Sequence, residues 1–143
     1  MQTGARMRDR ITFSRDQYGA PSAKTDTGHF NLLAGQLISD IINYAPDLLQ
    51  LLDKIDRVRT GRSAAEEYEG NSSLFQATPD GVLVADLEDD GDSATYTFDE
   101  ARAAILQYLD FLAPSAAQKQ DAVARWEAES GRTYPGRAEL GLT

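Results

Sequence analysis

The segment SLFQATPDGVLVADL, residues 73–87, restricts the fold of this chain more than any other part of the sequence. Two apolar runs flank Pro79, Asp80 and Gly81. Because Pro and Asp favour the corner of a turn and Gly tolerates a positive φ, the segment predicts a β-hairpin. The next stretch, ATYTF at 94–98, alternates aromatic and threonine residues and predicts a third strand of the same sheet.

Helical periodicity precedes this β-rich segment. Apolar residues recur at spacings of three and four from Phe30 onward, which predicts one helix. A second helix is expected to begin at Pro46, since proline suits the first helical turn, and to end at Gly61. The two predicted apolar faces comprise Phe30, Leu33, Leu37, Ile38, Ile41 and Ile42 in the first helix, and Leu48, Leu49, Leu51, Leu52, Ile55 and Val58 in the second.

Two capping boxes predict where the C-terminal helices begin. Thr97 with Glu100, and Ser115 with Gln118, have the spacing at which each side chain caps the other residue's backbone N–H. The second of these helices carries Trp126, which we expect in the core. The first carries an apolar stripe of Ala101, Ala104, Ile105, Tyr108, Leu109 and Leu112.

The order of these elements predicts an α+β fold with an N-terminal helix pair, a small antiparallel β-meander and C-terminal helices. A chain of 143 residues suits a single domain, 1–143, with one core. A short strand at 11–14 and a long loop over 15–28 are expected before the first helix. We also expect a flexible N-terminal segment, 1–10, and a flexible C-terminal tail, 132–143.

Charge is distributed unevenly along the chain, whose net charge is −9. Residues 1–62 carry nine Lys or Arg and seven Asp or Glu, whereas residues 63–143 carry five and sixteen. Between Ser63 and Ala101 there are eleven acidic residues and no Lys or Arg. Because nucleic acid and anionic membranes are themselves negative, this region favours a basic protein as partner. The candidate partner-binding residues are the five acids of the motif DLEDDGD, namely Asp86, Glu88, Asp89, Asp90 and Asp92.

Several classes of catalytic and metal site lack the residues they need. The chain has no cysteine, and His29 is its only histidine, so neither a thiolate site nor a two-histidine metal site can form. A calcium-binding loop starting at Asp86 would place Thr97 where a bidentate Glu is required. The glutamates of EEYE, 66–69, are expected at a solvated helix end. We therefore expect a non-enzymatic protein without a metal or other cofactor.

The stretch GNSSLFQATPDGVLVADLEDDGDSATYTFDEARAAILQYLDFL, residues 70–112, combines a Gly-Asn start, a hairpin with a Val-rich strand, an acidic connection, an aromatic-bearing strand and a helix with Leu and Tyr. It resembles the hairpin-then-helix segment of small immunity proteins of bacterial contact-dependent inhibition and related polymorphic toxin systems. The resemblance covers 43 of 143 residues. It implies a cytoplasmic protein that binds and neutralises a toxin domain, often a basic nuclease, and it assigns no individual contact residue.

Charge and resemblance together predict a cytoplasmic immunity protein directed against a basic toxin domain. The absence of cysteine is compatible with a reducing compartment, and no apolar signal segment follows the basic N-terminus. Two alternatives stay open, namely a general interaction or regulatory module without a toxin partner, and an enzyme that uses its acidic cluster with a divalent metal. The cluster itself is either a recognition surface or a solvated turn that aids solubility.

Overall fold

Two antiparallel sheets and four α-helices make up residues 10–88 and 92–142, the part of the chain that the computed structural model describes. The α+β class is therefore confirmed. In chain order the elements are β1 (Ile11–Arg15), β2 (Pro21–Thr25), α1 (Asn31–Gln36), α2 (Ala45–Arg59), β3 (Glu66–Glu69), β4 (Ser73–Thr78), β5 (Gly81–Asp86), β6 (Ser93–Tyr96), α3 (Phe98–Leu112) and α4 (Ala116–Ser130). Short 3-10 turns occupy Gly28–Phe30 and Ala138–Leu140, and a π-helical turn occupies Leu37–Ile41.

The first sheet is a hairpin of β1 and β2. The strand predicted at 11–14 is confirmed, but the loop predicted over 15–28 is wrong, because β2 lies within it and pairs with β1. The turn between them is closed by Asp16, whose carboxylate accepts the backbone N–H groups of Tyr18 and Ala20 at 2.8 and 3.0 Å. Strand β2, with the sequence PSAKT, is polar and carries no alternating apolar pattern, so no local sequence pattern predicts it.

The predicted N-terminal helix pair is not matched, since the hairpin comes first and helical structure begins only at Gly28. From there the backbone passes through 3-10, α and π turns before Ile42 adopts φ 57° and ψ −102°. That conformation is rare for a β-branched residue. The Ile42 side chain is 44% exposed, so its predicted place on the apolar face is wrong. Helix α2 contains Pro46 in its first turn, as predicted, and all six of its predicted apolar residues are buried.

The second sheet has the strand order β3-β4-β5-β6 and packs one face against the helices. The hairpin predicted around Pro79–Gly81 is confirmed, with a register from Ser73 opposite Asp86 to Thr78 opposite Gly81. The third strand is also confirmed, at Ser93–Tyr96. The helix end expected at 66–69 is wrong, because these residues form β3 along the edge of the sheet. Core residues on the inner face are Phe75, Ala77, Val82, Val84 and Tyr96.

Both capping boxes are present and start α3 and α4 as predicted. Trp126 is buried, which confirms its predicted place in the core, and its ring meets the buried Tyr134 ring edge-on at 5.1 Å. The segment expected to be a flexible tail is held to the body along residues 132–142. Glu127 accepts the backbone N–H of Tyr134 and pairs with Arg137, while Glu139 pairs with Arg102.

Candidate partner-binding face

The four-stranded sheet presents one face away from the helices, which we call the outer face. Side chains alternate between the two faces of a strand, so the neighbours of the buried residues Phe75 and Val84 point outward. The pairing register aligns them across the sheet. One row of the outer face consists of Glu67, Gln76, Leu83 and Thr95, and the next consists of Glu69, Leu74, Ala85 and Ser93.

The middle of the outer face is apolar and its edge is acidic. Leu74 and Leu83 lie half-buried on the two central strands. The backbone N–H of Leu87 bonds to the Ser72 carbonyl at 2.8 Å, which continues the ladder past β5 and places Leu87 on the same face, 49% exposed. Along β3, the Glu67 carboxylate accepts a hydrogen bond from the Gln76 amide at 3.1 Å. The result is a leucine strip bordered by carboxylates.

Three of the five predicted binding acids gather at one end of this sheet. Asp86 ends β5 and is half-buried, while Glu88 and Asp92 are exposed. The backbone N–H of Asp86 bonds to the Asp92 carbonyl at 2.9 Å, and the Asp86 carboxylate accepts the backbone N–H of Glu88 at 2.8 Å. Asp89 and Asp90 lie outside the described residues. Asp86 lies opposite the buried Ser73 and Asp92 follows in register, so both lie on the inner-face side of the ladder, and the described acids mark the end of the sheet rather than its outer face.

A cleft of about 320 Å³ lies beside this acidic end, between α1 and the turn that joins β3 to β4. We call it the Gln36 cleft. One of its walls is fixed by the Asp40 carboxylate, which accepts the Ser72 backbone N–H at 3.1 Å and the hydroxyl protons of Ser72 and Ser73 at 3.0 and 2.6 Å. Its polar lining includes Asn31, Gln36, Ser39, Ser72, Asp86 and Glu88.

The edge strand β3 is tied to helix α2 by a hydrogen bond, in which the Tyr68 hydroxyl donates to the Asp47 carboxylate at 3.2 Å. Burial raises the pKa of Asp47 above its ordinary value and raises the pKa of Tyr68 to about 12. Tyr68 therefore stays protonated, and able to donate, at neutral pH. This contact holds β3 against the core and leaves its alternate residues, Glu67 and Glu69, on the outer face.

The described residues hold no group of three or more His, Cys, Asp or Glu side chains arranged to bind a metal ion. Nor is any helix within the described ranges long and apolar enough to cross a membrane.

The chain matches no protein-family model, and no curated protein or solved structure gives a significant match.

The residues that form the cleft with the acidic end come from two separate stretches of the chain, 31–39 and 72–73, so no local sequence pattern predicts the cleft. Asn31 and Gln36 belong to α1, and Ser72 belongs to a turn. Only Gln36 carried a local signal. It lies one position before Leu37 and three after Leu33, so a polar side chain interrupts a face that is otherwise apolar.

Proposed function

We propose that this protein is a cytoplasmic, non-enzymatic immunity protein that binds a basic toxin domain through its outer face and blocks that domain's activity. The observation that carries the proposal is the leucine strip bordered by charges of one sign. No Lys or Arg occurs between Ser63 and Ala101, so strands β3 to β6 themselves carry no cation. A basic partner would supply positive charges opposite the carboxylates that border the leucine strip.

The apolar part of the outer face supports a protein partner over a small ion. Antiparallel sheets with one solvated face normally carry polar residues there. Here Leu74, Leu83 and Leu87 lie together instead, and Leu87 is about half exposed. Stable interfaces combine an apolar centre, where most binding energy resides, with a polar rim. The outer face has that arrangement.

The carboxylates of the rim support a basic partner. Within the described residues, Glu67, Glu69, Glu88 and Asp92 form none of the salt bridges. Their charges therefore act outward, where they raise the rate of encounter with a positive surface. A nuclease domain fits this chemistry, since its cleft is basic enough to hold phosphate and carboxylates can take the place of phosphate.

The resemblance of residues 70–112 to immunity proteins supports a toxin as that partner. The acidic connection between the Val-rich strand and the aromatic-bearing strand is one of the shared elements, and its described residues lie at the acidic end of the sheet. Immunity proteins act in the cytoplasm of the cell they protect, which is where we place this protein.

The test is to capture a basic toxin domain with the full chain in a pull-down and to co-express the two. The unchanged protein should restore growth and co-purify with the domain. Leu87→Arg places a positive charge on the leucine strip and should abolish both effects. Tyr18→Arg is the matched control, because Tyr18 is 85% exposed in the turn of the other sheet, and it should protect as well as the unchanged protein.

Two results would contradict the proposal. Equal protection by Leu87→Arg would show that the outer face is not the binding surface. Stable binding of a basic protein without any toxic activity would favour the general interaction module instead.

A further inference from the structure

The Gln36 side chain is buried without hydrogen-bond partners. It is 2% exposed, and within the described part of the chain neither its amide nitrogen nor its amide oxygen has a hydrogen-bond partner. Buried polar groups are nearly always satisfied, and one left unpaired destabilises the fold. Gln36 also lines the cleft, so a ligand there can supply the missing partners once the amide, which is closed to solvent, turns toward it.

The surroundings of Gln36 are rich in hydrogen-bond acceptors and negative charge. Asp86 and Glu88 contribute carboxylates to the lining. The hydroxyl protons of Ser72 and Ser73 are both donated to Asp40, so the lone pairs of the serine oxygens remain as acceptors. The cleft therefore favours a cation with several N–H donors.

The hydrogen-bonding groups of the Gln36 amide further restrict which ligands fit the cleft. A glutamine amide offers one acceptor and two donors, and it pairs with a peptide group, which offers one donor and one acceptor. A guanidinium group carries five N–H donors in a plane and no acceptor, and it binds carboxylates through two parallel hydrogen bonds. An arginine residue within a peptide chain supplies both groups.

We infer that the Gln36 cleft takes an arginine side chain of the basic partner, with Asp86 and Glu88 facing the guanidinium and the Gln36 amide pairing with an adjacent peptide group. This inference deepens the proposed function and rests on it. The cleft then selects partners that carry an arginine at this position, while the outer face forms the larger part of the interface.

The wall of the cleft is held in place before any ligand arrives. The π-helical turn Leu37–Ile41 follows Gln36 directly and carries Asp40, which binds the turn between β3 and β4. That turn approaches so closely that a Cβ at Gly70 would overlap the Asp40 carboxylate. A rigid wall lowers the conformational entropy lost on binding.

The first test is an NMR titration of the full chain with N-acetyl-arginine-N-methylamide. We expect saturable shifts of the Gln36 side-chain amide and of the backbone amides at 31–36, 72–73 and 86–88. The citrulline analogue has the same shape without the charge, and it should bind at least about tenfold more weakly because charge-assisted hydrogen bonds are lost. Equal binding of the two probes, or shifts elsewhere, would overturn the inference.

The second test separates ligand binding from folding. Gln36→Leu removes the unpaired amide, so its melting temperature should be unchanged or raised, while probe and partner affinity fall by about tenfold. Gln107→Leu is the control, since the half-buried Gln107 donates to the Ile11 carbonyl. It should lower the melting temperature and leave probe binding unchanged. A lowered melting temperature with unchanged binding in Gln36→Leu would show a structural role only, such as holding a buried water.

A third variant addresses the basic N-terminus of the same chain. Arg6→Ala/Arg8→Ala should bind the probe as the unchanged protein does. Tighter probe binding would show that the chain's own arginine competes for the cleft, which would overturn the partner as the occupant.

Failure of the inference and failure of the proposed function give different results. If Leu87→Arg abolishes partner binding but no probe enters the cleft, the inference is wrong and the proposed function stands. If the probe binds and Gln36→Leu prevents it, yet no basic protein binds the outer face, the proposed function is wrong and the guanidinium-binding cleft stands.

Discussion

The helical side of the molecule and the outer face of its sheet use charged residues in opposite ways. On the helical side, acids are matched by cations of the same chain, as where Arg102 meets Asp56 at 2.8 Å and Arg132 meets Asp53 at 2.9 Å. The carboxylates that border the outer face have no such matching cation on β3 to β6. Acids on the helical side therefore stabilise the fold, and we propose that those on the outer face meet a partner.

The contrast is sharpest between two neighbouring residues of β3. Glu66 points inward and lies 3.5 Å from the Lys54 ammonium and 3.7 Å from the Arg57 guanidinium. Glu67 points outward and, among residues 10–88 and 92–142, accepts a hydrogen bond from the uncharged Gln76. Because side chains alternate along a strand, one step along the chain changes a carboxylate from a folding contact into part of the exposed rim.

The largest difference in stability should separate two leucines. Leu109 is fully buried on α3, so Leu109→Ala should lower the free energy of unfolding by about 2–5 kcal/mol. Leu87 lies on the outer face, and Leu87→Ala should change it by no more than about 0.5 kcal/mol. Urea denaturation with an unchanged m-value measures both. An equal loss of unfolding free energy in the two variants would mean that the outer face is part of the core.

A smaller difference should separate matched from unmatched charges. Arg102→Met leaves Glu139 without this cation and leaves Asp56 paired with Arg59, and we expect a loss of about 1–3 kcal/mol. Glu88→Gln removes an exposed charge and should stay within about 0.5 kcal/mol of the unchanged protein. Comparable destabilisation by the two changes would contradict the division between folding charges and partner charges.

The capping box of α3 should contribute less than either of these. Thr97→Ala removes the acceptor for the Glu100 backbone N–H, at 3.0 Å, and should cost about 1 kcal/mol. Ser115→Ala, at the start of α4, should cost a similar amount because its box has the same geometry. Thermal melts of the two variants check this. A neutral result at both positions would show that the caps do not stabilise these helices.

The smallest effect concerns pH and again contrasts Glu66 with Glu67. A hydrogen bond with Ser63, followed by the charges of Lys54 and Arg57, lowers the pKa of Glu66 below its ordinary value. A lowered folded-state pKa gives stability above the unfolded pKa and loses it as pH falls through the folded value. Glu66→Gln should therefore be less stable than the unchanged protein at pH 7, and the difference should shrink on acidification. Glu67→Gln is the matched control for the loss of a carboxylate on β3, and urea denaturation across a pH series measures both variants.

Local sequence signals account for the parts of the fold that were predicted. Three signals each lie within a short stretch of sequence, and each correctly predicted its element: the turn before Gly81, the apolar stripe of α2 and the two capping boxes. Strands β2 and β3 were missed because their residues are mostly polar. What makes them strands is hydrogen bonding to a neighbouring strand, which no local pattern records.

The candidate binding surface was predicted only in part, for a similar reason. The acidic motif is visible in the sequence, and the structure places Asp86, Glu88 and Asp92 together. The leucine strip depends on the register that sets Leu74 beside β5, and the Gln36 cleft depends on α1 packing near a distant turn. Tertiary packing therefore determines where the leucine strip and the Gln36 cleft form.

The most direct test of the contrast between the helical side and the outer face is the association rate of the toxin domain measured across a salt series. Glu88→Gln/Asp92→Asn removes two charges at the acidic end of the sheet. Asp110→Asn/Asp121→Asn removes two exposed charges on the helical side, where each carboxylate pairs with a cation. Since the screening length at physiological salt is about 8 Å, only charges close to the docked partner should matter. We expect the first variant to associate more slowly with a flatter salt dependence, and the second to associate as the unchanged protein does. Equal rates for all three proteins would contradict the assignment of the sheet acids to a partner.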